Sequence, residues 1–394
     1  MAGVRHAVDP EADALEADPA LVARIRDEIE QTGPITFARF MELALYEPGL
    51  GYYMTRRSTA GRTGDFLTAP EAHPIFGAAI GRQLAELWDI MGRPSDLTVR
   101  EYGAGRGALI EGIVAGLRAD HSSLPDLLLY QPVELNEHRG AELRARLTSV
   151  QAGIRIEPAN GTFEGVVLAN EFLDALPVHL VEQRGGRLLE VLVGWHEEGG
   201  SFIEEVADPS TPDLARRLDA EGIRLDEGQR GEICLALDGW LDEVAGSLRR
   251  GYVLVVDYGF EAQDLYGPRH RAGTLLGYRG HRVVDDPYAA AGMRDLTAHV
   301  DLTALVRGAE ARGLSHLGTT TQAEFLVGAG ASEILRRVQE DPATTFDEYV
   351  ALRSSLARML DPRASGGFRV AVFGRDVPPS VPSGLTFSIE RRAR

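Results

Sequence analysis

Glu101-Tyr102-Gly103-Ala104-Gly105-Arg106-Gly107 follows the short apolar run Leu97–Tyr102 and leads into a helical pattern over Ala108–Leu117. A glycine-rich turn at a strand-to-helix junction lets a ligand approach the backbone closely and points the helix N-terminus at it. Three glycines at alternate positions exceed what a tight turn needs, so the stretch reads as a ligand site. The segments around it decide the fold. Strand patterns at Leu97–Tyr102, Leu127–Val133, Ile154–Ile156, Gly165–Ala169 and Tyr252–Asp257 alternate with helical patterns at Ala108–Leu117, Glu137–Leu147 and Ile233–Leu248. This alternation predicts an α/β protein with a parallel, Rossmann-like sheet covered on both faces.

Working outward, residues 93–260 form this core, with a hairpin insertion at 180–230 whose strands are Leu188–Gly194 and Ser201–Glu205. Residues 19–92 read as an N-terminal helical region. Leu21, Ile25 and Ile29 fall at helical spacing, as do Phe37, Phe40, Met41 and Leu45, with Thr36 as N-cap, and Pro74–Met91 is amphipathic. A polar Gly/Arg/Thr-rich loop spans Thr55–Thr68. Residues 261–363 read as an all-helical insertion, and 364–394 as two strands, Gly367–Phe373 and Leu385–Glu390, that complete the sheet. Residues 1–18 read as a disordered tail.

Composition excludes several chemistries. The 41 basic residues are all Arg, which rules out a Schiff-base lysine and a phosphate loop of the GKS/GKT type. With 59 acidic residues the net charge is −18, and no basic stripe is present, so nucleic acid is not expected as a partner. The lone Cys234 can form neither an internal disulfide nor a multi-thiolate metal site, which points to a reducing compartment. The acidic N-terminus reads as neither a secretory signal nor a transit peptide, and no 18-residue apolar run suggests membrane insertion. A cytoplasmic protein of a bacterium-like cell is the expectation.

Gly103-x-Gly105-x-x-Ala108 also satisfies the relaxed dinucleotide pattern. Glu101, two positions before the first glycine, separates the readings: a carboxylate is a poor neighbour for a pyrophosphate but a good one for a cationic amino acid moiety. S-adenosylmethionine fits, since its ammonium and sulfonium are positive, and Glu-x-Gly-x-Gly-x-Gly is a pattern by which many Rossmann-like methyltransferases hold it. Glu134, ending the second strand, can accept hydrogen bonds from both ribose hydroxyls of either cofactor. The fourth strand runs into Asn170-Glu171-Phe172-Leu173-Asp174, which places an amide and two carboxylates at the carboxyl edge of the sheet. A carboxylate there can orient a guanidinium or amine for in-line methyl transfer.

Ile35–Tyr53, Gly64-Asp65-Phe66 with Thr68-Ala69-Pro70-Glu71, EYGAGRGAL, ANEFLDALPVH, VLVVDYG, GYRGHR and RDLTAHVD occur in the order found in the MidA-like family, which this chain resembles from about residue 20 to 373. That family includes the mitochondrial arginine methyltransferase that assists assembly of respiratory complex I. The resemblance implies a class I methyltransferase fold, S-adenosylmethionine as donor and, from that relative, a protein arginine as acceptor, with a complex I subunit as the candidate partner. Together these readings give Glu101, Gly103, Gly105, Glu134, Asn170, Thr68 and Glu71 as the expected cofactor-binding residues, and Glu171, Asn170, Asp174 and His281 as the expected catalytic ones. Asp65, Tyr278, Asp295, His299 and Asp301 lie in the same blocks and are expected to close the acceptor pocket, without a metal. Gly-Ala-Gly stands where the family commonly has Gly-Pro-Gly, which keeps the turn small. The competing readings are a small-molecule methyltransferase and a non-catalytic assembly factor on the same scaffold. A homodimer is the expected assembly.

Overall fold

The computed structural model describes residues 17–55, 69–149, 154–279, 282–284 and 286–388. Their contacts group into two compact units. One is drawn from within 68–172, 241–258 and 308–394, the other from within 1–67, 173–240 and 259–307.

The first unit is built on a seven-stranded sheet: β1 (Leu97–Tyr102), β2 (Leu128–Val133), β3 (Arg155–Ile156), β4 (Phe163–Asn170), β5 (Leu248–Asp257), β6 (Ser315–Thr321) and β7 (Arg369–Arg375), in the spatial order β3-β2-β1-β4-β5-β7-β6. Neighbours among β1 to β5 pair in parallel. β7 runs antiparallel to both β5 and β6. Every residue of β1 is buried, as in a sheet covered by helices on both faces. The strand order reverses between β1 and β4, and in an open α/β sheet the carboxyl ends at such a reversal bound the ligand crevice. Two helices on one face, α1 (Ile75–Ile90) and α2 (Ala108–Ala119), pack so closely that a Cβ on Gly77 would lie 2.7 Å from Gly112 Cα. Val99, Val166, Leu254, Ile110, Leu84 and Phe325 belong to the shared core.

The second unit holds the helices Pro19–Thr32 and Phe37–Tyr46, with the Thr36 hydroxyl accepting from Arg39 N–H at 3.1 Å as the expected N-cap. A five-stranded antiparallel sheet joins Ile35–Thr36, Arg187–His196, His179–Arg184, Arg230–Ile233 and Ser201–Ala207. Of the hairpin read as an insertion, Arg187–His196 is the central strand of this sheet and Ser201–Ala207 pairs, among the described residues, with it alone. Phe37, Phe40, Met41, Val191 and Val193 belong to the core of this unit.

Two expectations are corrected. The segment 261–363 is not all-helical: it contains the strands Leu276–Arg279, Arg282–Val284, Asp295–Thr297 and Val300–Asp301, together with β6. β6 reads SHLGTTT, too polar to signal a strand, because it is an edge strand that pairs on one side only. Leu385 does not begin a strand but ends a short 3-10 turn, Ser383–Leu385. The tail of residues 1–16 and most of the Thr55–Thr68 loop lie outside the described residues.

Candidate active site

The glycine turn leaves β1 with positive φ at all three glycines: 67° at Gly103, 52° at Gly105 and 79° at Gly107. An L side chain is strained in that region, so glycine is required. Gly103 N–H donates to Val133 O at 3.0 Å, which seats the turn against the end of β2. Glu134 lies just beyond: its Oε2 accepts from Gly105 N–H at 3.0 Å and its Oε1 from Asn136 N–H at 2.8 Å. The next residue, Leu135, is 65% exposed, an apolar side chain standing at the sheet edge.

Glu101 is 4% exposed. Burial pushes its pKa up to about 8, against the pull of a 2.7 Å hydrogen bond from the Tyr130 hydroxyl and with a further push from the Glu134 charge. The carboxyl is thus held close to neutral pH, ready to ionise when a positive group comes beside it.

At the end of β4 the backbone takes an unusual course. Glu171 has φ 48°, one of the few residues other than glycine with a positive value, which costs roughly 1–2 kcal/mol. Two hydrogen bonds hold the turn: Glu171 N–H to Val256 O at 2.8 Å, and Phe172 N–H to Asp257 Oδ2 at 3.1 Å. The Glu171 Oε1 accepts from Ala69 N–H at 3.2 Å and from the Asn170 amide at 3.3 Å. The Phe172 ring packs on Tyr102 at 5.5 Å and lies over Gly103, where a Cβ would meet it at 3.1 Å. Two residues past Ala69, Glu71 has its pKa raised by burial, opposed by Arg106, Arg146 and Arg139.

One unit therefore collects Glu101, Gly103, Gly105, Glu134, Asn170, Glu171 and Glu71. Asp174 is counted in the other unit, where it is buried and its carbonyl accepts from Ala298 N–H at 3.0 Å. Asp295, also in that unit, accepts from the Tyr53 hydroxyl at 2.7 Å. His299 is packed against Phe260, and burial lowers its pKa to about 4. Asp301 caps the helix Leu302–Ala311 by accepting from Ala304 N–H at 2.9 Å. Thr68, Asp65 and His281 lie outside the described residues, as does the side chain of Tyr278. Among the described residues no group of three or more His, Cys, Asp or Glu is placed to hold a metal. Sequence reasoning passed over Tyr130, Leu135, Phe172 and Asp257. Asp257 left a signal, a carboxylate ending the apolar run VLVV.

An adenosine-bearing cofactor suits this edge. The backbone of Gly103 is exposed and open to close approach, and the Asn170 Oδ1 and Glu71 Oε2 are buried without a hydrogen-bond partner among the described residues. A model of S-adenosyl-L-methionine-dependent methyltransferases matches residues 79–320, more than half of the chain. The chain belongs to that family. This methyltransferase is 29% identical over 387 residues to the mitochondrial protein arginine methyltransferase NDUFAF7 homolog of Drosophila melanogaster, spanning 88% of this chain and 83% of the relative. The rat protein arginine methyltransferase NDUFAF7 is 30% identical over 340 residues, spanning 77% and 72%. A Burkholderia thailandensis protein crystallised with S-adenosyl-homocysteine bound superposes with a TM-score of 0.84 at 31% identity, covering 98% of this chain and 99% of that one. These relatives also correct one expectation: the curated proteins that the methyltransferase matches are mitochondrial, which overturns the cytoplasmic assignment. No helix among its described residues is long and apolar enough to cross a membrane.

Proposed function

We propose that this methyltransferase modifies a guanidinium nitrogen of an arginine in a protein partner. The observation that carries the reading is Glu171, a carboxylate held at the carboxyl edge of β4 in a costly left-handed conformation, with the half-buried Glu71 on the adjoining turn. Such strain persists where the surroundings over-determine it, and it clusters at functional sites. Two acidic groups on adjoining segments suit a cationic acceptor. The names of the relatives, protein arginine methyltransferases, support the same substrate class.

In this reading Glu134 holds the ribose hydroxyls, Leu135 offers an apolar face to the adenine, and Glu101 faces the ammonium of the methionyl group. S-adenosylmethionine supplies an electrophilic methyl group on a sulfonium. The protein supplies aim. Glu171 accepts hydrogen bonds from the guanidinium N–H groups, stabilises its charge, and stands ready to receive the proton the nitrogen must lose. Positioning and fixed charge of this kind carry most of the rate in group transfer. The partner expected from the family resemblance is a subunit of respiratory complex I, and a homodimer is the expected assembly, to be checked by light scattering.

The test compares wild type with Glu171→Gln. Titration with S-adenosylhomocysteine should give equal affinities, while methyl transfer from labelled donor to lysate protein falls about 100-fold or more. Label appearing in the small-molecule fraction instead of in protein would favour a small-molecule acceptor. Stoichiometric cofactor binding with no acceptor in either fraction would favour the assembly-factor reading.

A further inference from the structure

We propose that Asp257 is the positioning residue for Glu171: its carboxylate fixes the left-handed turn and thereby the aim of the Glu171 side chain. The inference rests on the reading that Glu171 faces the acceptor.

Asp257 ends β5 and is 1% exposed. Its carboxylate accepts from two backbone amides: Oδ2 from Phe172 N–H at 3.1 Å and Oδ1 from Tyr258 N–H at 2.9 Å. Tyr258 is itself anchored, its ring 5.2 Å from that of Phe368. The clamp therefore ties the end of β4 to a fixed point on the neighbouring strand. The sheet pairing carries Glu171 only as far as Val256 O, one residue short of the peptide unit that sets its ψ and the position of Phe172. A peptide at positive φ relaxes unless something opposes the rotation, and Asp257 grips the amide that would have to turn. Burying a carboxylate is unfavourable unless it is hydrogen-bonded, so a serine or a leucine would end an apolar strand more simply if no amide needed holding there. Phe172 gains from the same clamp, since its ring packs beside Gly103, where a Cβ would meet it at 3.1 Å.

The experiment uses the full chain with Asp257→Ala and Asp257→Asn. Hydrogen exchange at the Phe172 amide should accelerate about tenfold or more in the alanine variant, while β4 stays protected. Turnover on the methylated protein should fall ~10- to 100-fold, the penalty for misaiming by about an ångström. The acceptor KM and the S-adenosylhomocysteine affinity should change less than about threefold, because the acceptor charge and the cofactor shell remain. The asparagine variant keeps one oxygen for Phe172 N–H and should regain most of the rate. If the alanine variant does not fold, Asp257→Ser, whose shorter side chain cannot span both amides, takes its place with the same expected losses. Glu171→Gln combined with Asp257→Ala should be no slower than Glu171→Gln alone, since a positioning residue has nothing left to aim.

Unchanged exchange at Phe172, unchanged turnover, or losses that multiply in the double variant would each overturn the assignment. If Glu171→Gln is itself fully active, it is the acceptor reading that fails. If Glu171→Gln is slow while both Asp257 variants are fast, only the positioning role falls.

Discussion

Glu232 and Glu71 are both acids pushed upward in pKa by burial, yet their hydrogen bonding differs. Glu232 is surrounded by donors: Thr274 N–H at 2.9 Å, the Thr274 hydroxyl at 3.0 Å and Leu275 N–H at 3.3 Å. Glu190, in the same unit, is bonded to His179 at 2.7 Å and to Ser210 N–H at 2.6 Å. At the sheet edge of the other unit, Glu71 Oε2 and Asn170 Oδ1 are buried without a hydrogen-bond partner among the described residues. Burial alone therefore does not mark a functional acid. An acid saturated by donors, like Glu232, holds chain segments together, whereas an oxygen with unspent capacity, like Glu71 Oε2, is a candidate for ligand contact.

The largest effect should come from filling the cradle. Gly103→Val places a side chain at φ 67° and against the Phe172 ring, and should weaken S-adenosylhomocysteine binding by about 100-fold or more in a calorimetric titration. The strain of a β-branched residue at that φ should also cost roughly 1–2 kcal/mol of stability, so the titration is run well below the variant's own melting temperature. Unaltered affinity would dissolve the contrast between the two kinds of acid, since the edge would then hold no cofactor.

A smaller effect, of the opposite kind, is expected at the saturated acid. Glu232→Ala strands the amides of Thr274 and Leu275 and should cost roughly 1–3 kcal/mol of stability, seen in thermal melting. Methyl transfer per folded molecule should stay the same at low temperature. A selective loss of turnover without loss of stability would move Glu232 into the functional class.

The smallest effect concerns pH. Glu101 has an ordinary value of 4.5 and sits at about 8 in the fold, so the native state binds more protons than the unfolded chain between these values. Stability contributed by this group is full below about pH 4.5, declines as the pH rises through the window and is lost above about 8. Melting of the ligand-free protein should shift downward by a few degrees across that range, and Glu101→Gln should flatten the trend. A flat profile in the wild type would show that Glu101 is already ionised and paired.

Much of this site was legible in local sequence. The turn at Gly103, Gly105 and Gly107 announced itself because a strand end, alternate glycines and a helix start are consecutive. Glu101 and Glu134 followed from their places at strand ends, and Asn170 and Glu171 from the polar break after an apolar strand. Asp174 was grouped with them by proximity in sequence, and its contacts count it in the other unit. β6 escaped because a polar edge strand has no periodic signature.

By itself, then, the sequence determined the alternation of strands and helices, the glycine cradle and the supply of carboxylates at strand ends, because each is written in neighbouring residues. Only the tertiary structure decided which of those carboxylates are buried and which backbone groups they bond. Asp257 reaches the Phe172 amide across 85 residues of chain, and Glu101 owes its raised pKa to the burial that the packed sheet imposes and to Glu134 at the end of the adjacent strand. Hydrogen-bond partners and desolvation are set by sheet register and packing, which bring distant segments together and which no local periodicity records.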